Sequence, residues 1–202
     1  MSPLKLIGLG AGVALWAVGI AVGFAALQRH SAIPGTTHTP SASADAFFRV
    51  HRQPGRSLLV MAVHPLCPCT DASLAELGDL LARSRGTCDA LLLQYHPARG
   101  TPDWPVDPSP RHLGGVSVPI LLDRDGQIAS ALGAETSGHA VFVDAGGTVR
   151  FHGGLTIARG HRGRSPAQDA VLDTLGGRPT KLTSAPVFGC SLGPECRPDA
   201  KP

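Results

Sequence analysis

The longest apolar run lies near the N-terminus. Leu6 to Leu27 contains no charged side chain. About 22 residues at 1.5 Å rise per residue make roughly 33 Å of helix, enough to cross a bilayer. The run is longer than the apolar region of a cleaved leader, and no clean small-x-small cleavage site follows, so it reads as an uncleaved anchor. Lys5 before it and Arg29 after it pull the orientation in opposite directions. Ser31 to Ala44 is mostly Ser, Thr, Pro and Ala, the composition of a flexible, partly extended linker. The expected organisation is an anchor over residues 1–29, a linker over 30–46, a folded domain over 47–192 and a loose tail over 193–202.

Within the folded part the pattern changes period several times. Ser57 to Val63 (SLLVMAV) is a short unbroken apolar run, the signature of a buried strand. From Thr70, Leu74, Leu77 and Leu81 share one helical face, and Gly86 is a plausible stop. Two starts fit this helix: Thr70 as cap with Asp71 in the first turn, or Ser73 with Glu76 as a capping box. Cys88 to Tyr95 reads as a second strand, His96 to Gly115 as irregular chain, and Val118 to Leu122 as a third strand ending in a turn at Asp123–Gly126. Gln127 to Leu132 is a short helix. His139–Asp144 and Thr148–His152 form a hairpin through Ala145-Gly146-Gly147. Ser165-Pro166 opens a last helix to Leu175, closed by Gly176-Gly177. This order predicts an α/β fold. A right-handed parallel strand–helix–strand unit and a closing antiparallel hairpin make a mixed sheet flanked by helices.

Charge changes this picture little. The net charge is +3, with no basic stripe carrying interleaved aromatics, which argues against nucleic acid as a partner. The cysteines change it more. There are five, Cys67, Cys69, Cys88, Cys190 and Cys196, an odd number that does not read as a disulfide framework. Cys67 and Cys69 fall where the first strand hands over to the first helix of the domain. Unpaired N–H groups and the helix dipole favour negative charge there, and the thiolate is the form that attacks disulfides and binds soft metals. At least one of the two is expected to have a lowered pKa. A bridge between them would close a small ring, and a strained ring makes an oxidising couple. Alternatively Cys67 or Cys69 attacks and Cys190, folded back on the tail, resolves. Cys88 reads as a small buried apolar residue, and Cys196 as incidental.

Cys67-Pro68-Cys69 at this junction, the element order, and VPILLDRDGQIASALGA ahead of a hairpin together resemble the thioredoxin-like superfamily. The nearest likeness is to its membrane-anchored TlpA-type and peroxiredoxin-type branch. HPLCPCT, GHAVFVDAGGTVRFHGGLTIARGHRG and VFGCSL resemble the RedB-type proteins, over roughly Arg56 to Leu192. There are departures. The chain has Cys-Pro-Cys and then Thr70 where thioredoxins have Cys-x-x-Cys. Gly138 stands where a proline usually precedes the hairpin, and His64 stands where peroxiredoxins carry Thr. The resemblance implies a thiol–disulfide oxidoreductase acting on protein substrates without a cofactor. Leu6 to Leu27 would hold it at the inner membrane, and its domain is expected on the periplasmic side because a tethered dithiol site is most useful outside the cytoplasm. It also implies that the chain after His152 returns to the cysteines. Arg159 and His161, with Thr70 and His139, would then stabilise the thiolate or orient substrate. Copper-delivery proteins share this fold, so a rival reading has His64, Cys67 and Cys69 hold Cu(I) or another soft metal, with Cys190 or His139 as a further ligand. A third has the domain only docking a partner.

Overall fold

The computed structural model describes residues 3–41, 44–98, 104–107 and 109–196. Residues 197–202 of the expected tail, and part of the stretch expected to be irregular, lie outside them. The chain divides after Ile33 into two units. The first is one helix, α1 (Pro3–Ala32), whose stretch Ile7–Ala32 is long and apolar enough to cross a membrane, with no residue of its apolar window buried.

The second unit is built around strand β1 (Ser57–Val63), all of whose residues are buried. Helix α2 (Ala44–His51) precedes it, and α3 (Thr70–Ser84) and β2 (Cys88–His96) follow. A small hairpin of β3 (Arg111–Leu113) and β4 (Val116–Val118) comes next, then β5 (Ile120–Arg124), α4 (Gln127–Ala131), β6 (His139–Val143), β7 (Val149–Gly154), α5 (Pro166–Leu175) and β8 (Ser184–Ala185). The main sheet runs β5-β2-β1-β6-β7-β8. β1 pairs parallel with β2 and antiparallel with β6, so it is central and dry on both faces, which is why its sequence shows no alternation. Leu59, Met61 and Val63 pack with Leu77, Leu80 and Leu81 of α3 and Val171 of α5. Leu58, Val60 and Ala62 face the other way, onto Phe48 of α2 and Ala129 of α4. Each such leucine contributes about 1.5–3 kcal/mol of burial.

Several boundaries differ from the sequence pattern, each for a local reason. Both expected caps of α3 are used elsewhere. Residue Cys69 occupies the cap position without a side-chain bond. The Thr70 hydroxyl donates to the His64 carbonyl at 3.0 Å, and the Glu76 carboxylate accepts the Gly163 N–H at 2.6 Å as well as the Gln168 amide. The expected third strand is cut at Pro119, which has no N–H to give to a ladder; Val118 ends β4 and Ile120 begins β5. At α5 the expected cap is present: Ser165 Oγ accepts the Gln168 N–H at 3.2 Å.

The linker and tail need larger corrections. Residues 35–41 lie along the domain. The Gly35 N–H reaches Val187 O at 2.8 Å, His38 N–H reaches Gly133 O at 2.9 Å, and Ser41 N–H reaches Ala131 O at 3.0 Å. A side chain at Gly133 would put its Cβ 2.2 Å from the His38 carbonyl oxygen, so glycine is what lets this strap lie down. The tail is held through Cys196: His64 Nε2 lies 3.0 Å from Gly193 O and the Cys196 N–H donates to Gly193 O at 3.2 Å, and the chain just before it is pinned too. The Ser137 N–H donates to Cys190 O at 2.8 Å and the Leu192 N–H to Glu135 O at 2.9 Å. Polar composition signalled mobility in both segments, but each satisfies its backbone groups against the sheet's rim.

Candidate functional site

β1 ends at Val63, and the chain turns through His64-Pro65-Leu66 before Cys67. The Cys67 N–H donates to His64 O at 3.1 Å, and the Thr70 N–H to Cys67 O at 3.0 Å, winding the chain into α3. Ser137 locks this turn from the far side. Its Oγ accepts the His64 N–H at 2.9 Å and lies 3.1 Å from Thr70 Oγ1. Since the Thr70 proton goes to the His64 carbonyl, Ser137 is the donor in that contact. Thr70 therefore braces the turn and does not touch a sulfur as a donor, which departs from its expected role.

The tail brings two more sulfurs to Cys67. The Sγ atoms of Cys67, Cys190 and Cys196 all lie within 4.8 Å of one another. The Cys190 N–H also donates to Cys67 Sγ at 3.4 Å. Hydrogen bonding from the Cys196 thiol is the largest influence on Cys67. Burial opposes it, while the Cys190 thiol and the N–H groups of Cys190 and Cys69 add to it, and the pKa falls to about 4. At neutral pH the cluster holds one thiolate among neighbouring thiols. The other members move the opposite way. Burial and the Cys67 anion push Cys190 up to about 11. Donation to Cys67 and burial push Cys196 up as well. Cys69, half-buried, is raised by burial and by the Cys67 charge, while Arg159 and the Gly160 N–H pull it back. Cys88 is apart in the core at the start of β2, its thiol raised by burial to about 12, as a small apolar residue would be placed.

Cys67 is only 5% exposed, but it is not sealed. It lines an open cleft of about 420 Å³ whose other walls include Pro65, Pro68, Gln94, Asp107 and Arg111.

The remaining expected residues fall in different places. Arg159 donates to the Gly189 carbonyl, next to Cys190, and its charge acts on Cys69. His161 is exposed, and its backbone N–H closes a turn on Ala158 at 3.2 Å. His139 is fully buried and stacks on His152 at 6.0 Å, with neither ring nitrogen bonded among the described residues. A sealed ring does not meet a substrate, so the expected orienting role does not fit it. His64 is also removed from the proposed metal set. Its Nε2 lies 3.0 Å from Gly193 O and its Nδ1 accepts the Leu66 N–H at 3.2 Å, which fixes the proton on Nε2 and leaves no free lone pair. The ring stacks on Tyr95 at 5.1 Å and meets the edge of Trp104 at 5.3 Å. Cys196, read as incidental, is the residue that sequence reasoning missed; no local pattern marks it.

Two features decide the fold class. A parallel β1–α3–β2 unit carries thiols at its first junction, and the β6–β7 hairpin lies antiparallel beside β1. The fold is thioredoxin-like. No protein-family model matches the chain, and no curated protein matches it. Solved structures do. A hypothetical protein from Sinorhizobium meliloti is similar at 20% identity over 80% of this chain and 91% of that one, with a TM-score of 0.54. An uncharacterized conserved protein from Geobacillus kaustophilus is similar at 16% identity over 81% and 89%, with a TM-score of 0.53. A secreted disulfide oxidoreductase of Mycobacterium tuberculosis aligns over 61% of this chain and 83% of its own at 16% identity, with a TM-score of 0.38. The thioredoxin-like domain presents its thiols where the central strand ends, at one rim of the sheet.

Proposed function

We propose that this chain is a membrane-tethered thiol–disulfide oxidoreductase whose Cys-Pro-Cys turn acts on protein substrates. α1 holds it at the inner membrane, and the thioredoxin-like domain works on the periplasmic side, where disulfides form and persist. Its sequence resembles the TlpA-type and peroxiredoxin-like branch, and the RedB-type proteins within it, which supports this reading. One observation carries the reading: Cys67 Sγ accepts the Cys190 N–H at 3.4 Å, lies within 4.8 Å of the Cys190 and Cys196 sulfurs, and lines an open cleft.

The exchange runs in two displacements. Cys67 thiolate attacks one sulfur of a substrate disulfide. A Cys67–substrate bond forms, and the other substrate sulfur leaves as a thiolate and takes a proton from solvent. Cys190 then gives up its proton and attacks Cys67 Sγ, expelling the second substrate thiolate. The substrate gains two electrons, and the protein is left with a Cys67–Cys190 disulfide, which an external dithiol must reduce. Cys190 is favoured as resolving residue over Cys69 because a Cys67–Cys190 bridge escapes the small ring of a two-residue spacing. Cys69 and Arg159 stand at the rim, where they meet the substrate. The test is reduction of insulin disulfides by the full chain in detergent. Cys67→Ser should abolish turnover; unchanged turnover would remove the oxidoreductase reading.

A further inference from the structure

We propose that Cys67, Cys190 and Cys196 form a three-sulfur site for a soft monovalent cation, Cu(I). This goes beyond the disulfide chemistry and does not depend on it.

The argument starts from the donor atoms. Three Sγ atoms converge within 4.8 Å of one another, from two segments more than a hundred residues apart in sequence. In a Cu(I) trithiolate the sulfurs sit about 4.0 Å apart, twice the sine of 60° times a metal–sulfur bond near the ~2.3 Å of thiolate sites, so closure needs only small side-chain shifts. Sulfur-only donor sets select Cu(I) and other thiophilic ions over Mg(II), Ca(II) or Mn(II). Among the described residues no His, Asp or Glu joins the cluster. Both His64 nitrogens are occupied by Gly193 and Leu66, and the Glu195 carboxylate accepts the Ser191 hydroxyl at 2.9 Å. Four-coordinate Zn(II) would need a fourth donor that the three converging sulfurs do not supply. Burial also suits a soft ion: Cys67 is 5% and Cys196 8% exposed, while half-buried Cys190 leaves a way in. The surrounding hydrogen bonds hold the frame. The Cys190 N–H fixes Cys67 Sγ, and the His64 ring pins the Gly193 carbonyl between Cys190 and Cys196. The ion and a Cys67–Cys190 disulfide require the same sulfurs and so exclude each other.

The full chain in detergent, reduced by a phosphine and kept free of oxygen, would be titrated with Cu(I) supplied as its bicinchoninate complex. One equivalent should leave the indicator per chain, and X-ray absorption should show a sulfur-only shell. Cys196→Ser should weaken uptake by roughly tenfold or more, since even losses of residues behind the ligands cost that much. Copper uptake and metal-free insulin reduction are read separately on the unaltered chain: turnover without uptake overturns the site alone, and uptake without turnover overturns only the exchange. In the unaltered chain, Cu(I) should protect Cys67, Cys190 and Cys196 from alkylation while Cys69 stays reactive. No withdrawal of copper from the indicator, or equal alkylation of the three cysteines with and without it, would overturn the site.

Discussion

At the scale of single residues, the site turns on where protons sit. Cys67 lies near pKa 4 against an ordinary 9.0, chiefly because Cys196 and Cys190 donate to it. The thiolate absorbance lost in Cys67→Ser should therefore persist down to about pH 4; a loss centred near 9 would contradict the assignment. Stability follows with a definite sign. A thiolate favoured on folding contributes fully above pH 9, and its contribution is lost as pH falls through about 4. His139 works in the same direction by a different route. Burial and the neighbouring His152 push it down to about 4 from 6.5, so the neutral ring favours the folded state above pH 6.5, and that advantage goes as pH falls through about 4. Denaturant midpoints should drop across that window, and His139→Leu should flatten the drop; an unchanged slope would mean His139 stays uncharged for another reason. Cys67 and Cys69 were visible as a pair because only Pro68 separates them and they follow closely on an apolar run. Cys196 was not, because its role depends on three-dimensional neighbours alone.

At the scale of elements, periodicity carried what was local and lost what was not. β1 was legible to the residue, and α3 in all but its start, because burial on both faces of one and one face of the other writes directly into the order of leucines. The α3 caps were misread because Thr70 and Glu76 have distant partners, His64 O and Gly163 N, that outcompete the local bond. The segment Thr136-Ser137-Gly138 is a hub of the same kind. The Gly138 N–H donates to Ala62 O at 2.8 Å, its φ is +90°, and a Cβ there would sit 2.5 Å from Ser73 Oγ. Gly138→Ala should cost about 1–3 kcal/mol in urea unfolding, through a strained backbone and a displaced α3 N-terminus. A neutral substitution would show that the loop relaxes freely. The expectation that Gly153–His161 returns toward the junction came from topology, and Arg159 and Gly160 do act on Cys69, whereas His161 faces solvent.

At the scale of the whole molecule, a polar tail completes a site that the sheet only begins. Chain order hid this: residues 188–196 show neither helical nor strand periodicity, and backbone bonds to Glu135 and Ser137 place them. Ending the chain after Val187 should release the His64 ring and return the Cys67 pKa toward its ordinary value, read from the thiolate absorbance; a Cys67 still ionised near pH 5 would contradict that dependence. The central claim, that Cys67 attacks and Cys190 resolves, is tested most directly by trapping. Full-length Cys190→Ser, mixed with a disulfide-bonded peptide and mapped by mass spectrometry, should accumulate a mixed disulfide on Cys67. Rapid release of the peptide, an adduct on Cys69 instead, or no adduct at all would contradict it.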